Sequence, residues 1–218
     1  CDAYGNTTEK LLEKAKVAAR QCEKVVLCVG LPERYESEGF DRGSLKLPEG
    51  HLRLINAVTE ENANTIVILM SGGVVECPWA GKVKGILYAG LSGQAGAQAI
   101  ANILYGKVNP SGKLAESWPI NYEDCATAAF YGKEKDAIYR EGIYVGYRYY
   151  DKIQLPVRWC FGYGLSYTTF AYSNLKIQES ESSEQIRQLQ KNNQIEKIKR
   201  LQKDIGKQTK DLKEEYVV

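Results

Sequence analysis

The sequence predicts an α/β protein: a mostly parallel sheet sandwiched by helices, with a separate helical tail at the C-terminus. Three observations lead there. Short continuous apolar runs, "KVVLCVG", "TIVILM" and "KGILYAG", alternate with longer segments of helical periodicity, the pattern of parallel strands joined by helices and covered on both faces. Hydrophobic residues make up 44% of the 218 residues and charged residues 26%, a balance that supports a globular core. From residue 179 the composition turns to Lys, Glu and Gln without proline, which divides the chain into a domain at 1–178 and a charged tail at 179–218.

The first helix is expected at 7–21, "TTEKLLEKAKVAARQ", where Leu11, Leu12, Ala15, Ala18 and Ala19 form an apolar stripe. Asn6 and Glu9 stand at capping-box spacing before it. A strand at 24–30 follows. The segment 47–63 reads as a second helix with Pro48 near its start. "TIVILM" (65–70) is the next strand and "KGILYAG" (84–90) the third. A small-residue helix is expected at 95–106, then a turn and a short fourth strand within "NPSGKLAESWP" (109–119). Residues 120–170 are rich in Tyr and Gly, and read as irregular chain packed over the domain surface, with sugar stacking open to one or two of the tyrosines. In the tail, Ile198, Ile205 and Leu212 recur every seven residues with Leu201 as companion, but Gln194 and Gln208 interrupt the pattern and Gly206 weakens the helix. Fewer than three clean heptads favour a solvated or loosely coiled helix over a real coiled coil.

Composition excludes several classes. A net charge of +2 gives no reason to expect nucleic acid or an acidic membrane as partner. The longest apolar run ends at Ser71, well short of the ~20 residues that a membrane span needs. The first residue is Cys1 and the sole methionine is Met70, so the chain is expected to be a fragment without its natural start. None of the six cysteines forms a C-x-x-C pair, which favours reduced thiols and a cytoplasmic setting over disulfides or zinc. His51, the only histidine, lies in a segment of helical periodicity and reads as a surface or boundary residue. No cofactor or metal is expected.

In parallel sheets ligands meet the loops at the C-terminal ends of the strands. Three loops qualify here: 31–46, 71–81 and 91–94. The last opens "GLSGQAG", with Gly90, Gly93 and Gly96. It lacks the G-x-G-x-x-G spacing and no Lys-Ser/Thr follows, so close packing of a small-residue helix accounts for the glycines better than a nucleotide does. The first loop, "VGLPERYESEGFDR", gathers Glu33, Glu36, Glu38 and Asp41. A solvated connection is one reading. Glycoside hydrolysis is the other: it needs one carboxylic acid to protonate the leaving oxygen and a second carboxylate on the other side of the sugar, and crowded or part-buried carboxylates keep such an acid protonated.

"ESEGFDR" (36–42) with "LKLP" (45–48), "GKVNPSGKLAESWP" (106–119), "YREGIYVGYRYYD" (139–151) and "FGYGLSYTTF" (161–170) occur in order over roughly residues 20–178. Together they resemble the C-terminal domain of family 3 glycoside hydrolases. The resemblance implies an α/β sandwich domain of a retaining β-glycosidase, most simply a β-glucosidase. It implies that a barrel domain, absent from this chain, carries the nucleophile, and that Glu38, just before the motif glycine, is the general acid/base. Glu36 is its neighbour and rival. Tyr35 and Glu36 are assigned to substrate binding, and Asp41 and Arg42 to a local ion pair that shapes the loop. The partners implied are a β-linked oligosaccharide or glycoside and the barrel domain. The alternative is a non-catalytic module kept for carbohydrate binding or for homo-oligomerisation through the tail. A nucleotide-binding domain, resting on the glycine turn alone, is a third reading.

Overall fold

The computed structural model describes residues 1–133, 135–136, 138–176, 181–191, 197, 199–200 and 202–203. The chain divides into two compact units, Cys1–Thr168 and Thr169–Val218. The second contains helix Glu181–Lys191; the heptad positions Ile198, Leu201, Ile205 and Leu212 lie outside the described residues.

The first unit is built on a parallel sheet with helices, as expected. Strands β1 (Val25–Gly30), β2 (Thr65–Met70) and β3 (Gly85–Tyr88) stand side by side in that order. Val25 faces Thr65 and Gly30 faces Met70, while Ile66 faces Gly85 and Leu69 faces Tyr88. All three strands therefore end at the same edge. The β-branched runs that form β1 and β2 suit a pleated, buried surface, and β2 at the centre buries Val67, Ile68 and Leu69 almost completely. On edge strand β1 the burial alternates. Leu27 and Val29 are buried, whereas Val26 is half-exposed and Cys28 exposed.

Helices α1 (Glu9–Gln21) and α2 (Glu49–Glu61) pack on each other, and their apolar faces join Leu27, Val29, Val67 and Leu69 in one core through Ala19, Ile55 and Val58. Arg20 grips Glu61 with two hydrogen bonds of 2.6 and 2.8 Å, and Arg53 pairs with Glu9. The predicted Asn6–Glu9 capping box is absent. Asn6 is held by the Asp2 carboxylate through both its amide and its side chain, and Thr8 caps α1 by accepting from the Leu11 N–H. The local Asp2 turn outcompetes the helix for Asn6.

His51, in the first turn of α2, is part-buried with Nδ1 3.0 Å from the Gly30 carbonyl. Burial pushes its imidazole below the ordinary value, against the pull of that carbonyl and of Asp2. The unfolded chain therefore takes up this proton more readily than the folded one. Stability that is present above about pH 6.5 is lost as pH falls. The denaturation midpoint is expected to be lower at about pH 5.5 than at about pH 7.5, with a smaller difference in His51→Gln. Urea titrations of both proteins check this.

Beyond β3 come α3 (Gly96–Leu104), β4 (Trp118–Pro119), α4 (Tyr147–Ile153) and β5 (Val157–Trp159). The fourth strand does not join the parallel sheet. It pairs antiparallel with β5, Trp118 opposite Trp159. The expectation of irregular chain over 120–170 is corrected by α4 and β5. Helix α4 is bounded by Gly146 and Gln154, both at positive φ, and buries Tyr150. Trp118 is fully buried, and meets Tyr88 edge-on at 5.2 Å and Trp159 at 5.3 Å. This aromatic contact joins the small sheet to the parallel one. Other aromatics of the region also pair, Tyr147 on Phe161 and Tyr163 on Trp159.

Candidate active site

The acidic loop leaves β1 at the C-terminal edge of the sheet. Its first step still follows β2, because the Leu31 N–H donates to the Met70 carbonyl at 2.9 Å. A turn follows in which the Tyr35 N–H donates to the Pro32 carbonyl. Arg34 lies over the Tyr4 and Tyr35 rings, 5.8 and 5.7 Å from their centroids. The chain then doubles back between Ser37 and Phe40, which form an antiparallel bridge. Gly39 sits in this reversal, its N–H near Ser37 Oγ.

The four carboxylates separate by environment. Glu33 is exposed. Glu38 is exposed at the tip of the Ser37–Phe40 reversal. Glu36 is part-buried, and its Oε1 accepts the Gly72 N–H at 2.6 Å. This is a short, charge-assisted bond. A Cβ at Gly72 would fall 1.9 Å from Glu36 Oε1, so a side chain there would displace the carboxylate. Asp41 is exposed and accepts from the Tyr131 hydroxyl.

The predicted Asp41–Arg42 ion pair is therefore corrected. Asp41 turns to Tyr131, and Arg42 turns inward, where Nη1 donates to the Val74 carbonyl at 2.9 Å. The two residues leave the chain on different sides, and a buried carbonyl acceptor outcompetes the exposed neighbour. Burial pushes the Arg42 guanidinium below its ordinary value, opposed by the carboxylates of Glu36 and Glu116 and the Tyr88 phenol. Burial pushes the Glu116 carboxyl above its ordinary value, opposed by Arg42. Burial likewise raises Tyr88, whose hydroxyl donates to the Ser71 carbonyl at 2.9 Å. Glu36 Oε2 and Arg42 Nη2 are buried without a hydrogen-bond partner.

Of the residues singled out in sequence, Tyr35, Glu36 and Glu38 thus occupy one loop, but in different roles. Tyr35 is part-buried beside Arg34, Glu36 is docked on the 71–74 segment, and Glu38 is presented to solvent. Glu116 was missed. Its signal was a lone acid in the apolar stretch "KLAESWP", just before a buried tryptophan. At the glycine turn, Gly90 and Gly93 have φ of +59° and +61° with open space around the missing Cβ. Backbone conformation, rather than the expected close helix packing, requires glycine at these two positions. Gly96 alone is tight, against Ser92. Among the described residues no group of three His, Cys, Asp or Glu side chains is arranged to hold a metal ion, and no helix is long and apolar enough to cross a membrane.

This chain and its fold are matched by known proteins. Residues 3–147 match the family described as glycosyl hydrolase family 3 C-terminal domain. The chain belongs to that family. It is 45% identical over 177 residues to thermostable beta-glucosidase B of Acetivibrio thermocellus, a match covering 81% of this chain and 23% of that protein. Its structure is similar to that of a family 3 beta-glucosidase from Bifidobacterium adolescentis, with a TM-score of 0.73 and 45% identity over 77% of this chain and 26% of the other. It is also similar to a Kluyveromyces marxianus beta-glucosidase crystallised in complex with glucose, with a TM-score of 0.74 and 40% identity over 78% of this chain and 21% of the other. The chain thus spans about a quarter or less of the length of these relatives.

Proposed function

We propose that this chain supplies the general acid/base of a retaining β-glycosidase, a β-glucosidase by similarity to its relatives, and that Glu38 is the residue. The observation that carries the reading is the pairing of an exposed carboxylate at a turn tip with anchors on either side of it, Glu36 to Gly72 and Arg42 to Val74. A fixed, exposed carboxyl is what a domain needs if it acts on a sugar held elsewhere. In the first step the Glu38 carboxyl gives its proton to the glycosidic oxygen as the bond to the sugar breaks, while a carboxylate of a barrel domain forms the glycosyl ester. In the second, the Glu38 carboxylate takes a proton from water as that water attacks the anomeric carbon of the sugar, and the barrel carboxylate leaves.

The substrate class proposed is a terminal β-glucoside, with Tyr35 in reach of the leaving group. The glycosidase domain is assigned to 1–178 and a charged helical tail to 179–218. The exposed apolar side chains Tyr139, Ile143, Phe161 and Leu165 suit a surface covered by the rest of a larger enzyme.

A retaining mechanism needs two carboxyl groups about 5–5.5 Å apart, and this chain offers one of them. The 218-residue chain alone is expected to leave an aryl β-glucoside intact. A chimera in which it replaces the corresponding quarter of the Acetivibrio thermocellus enzyme is expected to hydrolyse the same compound. An inactive, folded chimera would count against the assignment, and so would turnover by the chain alone that a point mutation within it abolishes.

A further inference from the structure

We infer that Glu36 and Arg42 are positioning residues that clamp the Glu38 turn to the segment after β2, and that Gly72 is the receiving site of the clamp. The inference rests on the reading of Glu38 as the acid/base, but its geometry stands independently of it. It gives Glu36 a role in holding the loop in place of contact with substrate.

The two anchors bracket the tip. Glu36 lies immediately before Ser37, and Arg42 two residues after Phe40, the two partners of the bridge that closes the turn. Both anchors land on one short segment: Glu36 Oε1 on the Gly72 N–H at 2.6 Å, and Arg42 Nη1 on the Val74 carbonyl at 2.9 Å. Residues 37–41 are thereby held at both ends against the same support. That support is itself fixed. Ser71 Oγ donates to the Gly73 carbonyl at 2.8 Å, and the Tyr88 hydroxyl holds the Ser71 carbonyl from β3. Tyr88 in turn packs on the buried Trp118. A continuous path of contacts therefore runs from the core to the turn that carries Glu38.

The clamp is electrostatic as well as geometric. Burial disfavours the Arg42 cation, and the charges of Glu36 and of Glu116, from the segment before β4, oppose that effect. A guanidinium keeps its charge in such a part-buried site. A Cβ at 72 would meet Glu36 Oε1 at 1.9 Å, so the Glu36 carboxylate must leave its place to admit one. Gly72→Ala thus breaks the clamp from the receiving side without touching the acidic loop.

Amide hydrogen exchange in the 218-residue chain tests the clamp without any activity. In Glu36→Ala the Gly72 amide is expected to exchange about tenfold faster or more, as befits loss of a hydrogen bond to a charged acceptor, while the amides of β2 keep their rates. Protease cleavage within 33–43 should quicken in both Glu36→Ala and Gly72→Ala, and less in Glu36→Gln, which retains an oxygen acceptor. If Gly72 exchanges at the same rate with and without the Glu36 carboxylate, the clamp is wrong. Should Glu36→Ala not fold, Gly72→Ala and Glu36→Gln carry the same comparison.

In the chimera, Glu36→Ala is expected to lower kcat more than it raises KM, with partial recovery in Glu36→Gln and no glycosyl azide formed on adding azide. A change in KM alone would assign Glu36 to substrate binding and overturn the inference. Failure of Glu38 as acid/base would instead show in the Glu38 variants and leave the exchange result intact, so the two claims fail separately.

Discussion

Glu38→Gln in the chimera is expected to cut hydrolysis of glycosides with poor leaving groups by about 10²–10⁴-fold, the usual contribution of a positioned general acid. Activated aryl glycosides should lose far less in the first step, because a good leaving group departs without a proton. Their second step still lacks its base, so the glycosyl-enzyme should accumulate and steady-state turnover should slow after a burst. Leaving-group dependence of kcat/KM, measured on a series of aryl glucosides, reads the effect directly. The fold should be untouched, since the Glu38 side chain is exposed and lies outside the clamp.

The largest effect on stability is expected from Trp118→Ala. The side chain is fully buried and makes edge contacts with Tyr88 and Trp159. Removing a buried tryptophan costs about 3–5 kcal/mol, which includes the loss of aromatic pairs worth about 0.5–1.5 kcal/mol each. That is a large share of the stability of an ordinary domain. Urea unfolding should show a much lower midpoint. Trp118→Phe should restore part of it, because a smaller ring still faces Tyr88. If the midpoint of Trp118→Ala were near that of the parent, the aromatic contact would not be what joins the two sheets. The change also bears on the site, because Tyr88 holds the Ser71 carbonyl next to the Gly72 amide that receives Glu36.

The parallel sheet was legible because its strands announce themselves. "VVLCVG" and "TIVILM" are β-branched runs too short for helices and bounded by turn residues, and they form β1 and β2 as read. Helices α1 and α2 were legible from their apolar stripes. Helix α4 was not. "YRYYDKI" has no strong helical stripe, and only Tyr150 of its residues is buried. The partner of the fourth strand was equally hidden, since "VRW" is three residues long and its pairing with Trp118 spans a long stretch of chain.

At the candidate site the acidic loop could be found from sequence, because four acids after a buried strand are conspicuous. The division of labour among them could not. Glu36 finds its donor at the Gly72 N–H and Arg42 its acceptor at the Val74 carbonyl, both far along the chain. Sequence adjacency instead pointed to a pair between Asp41 and Arg42. Tertiary contacts decided which charged side chain went in and which stayed out.

Trapping with azide in the Glu38→Gln chimera tests the central claim most directly. Azide attacks the glycosyl-enzyme without needing a general base, so turnover of an activated aryl glucoside should recover and the product should be the β-glucosyl azide. Formation of that azide in Glu38→Gln, and its absence in Glu36→Gln, is the predicted result. Formation in Glu36→Gln alone would move the acid/base two residues along the loop, and formation in neither would mean that this loop does not supply it.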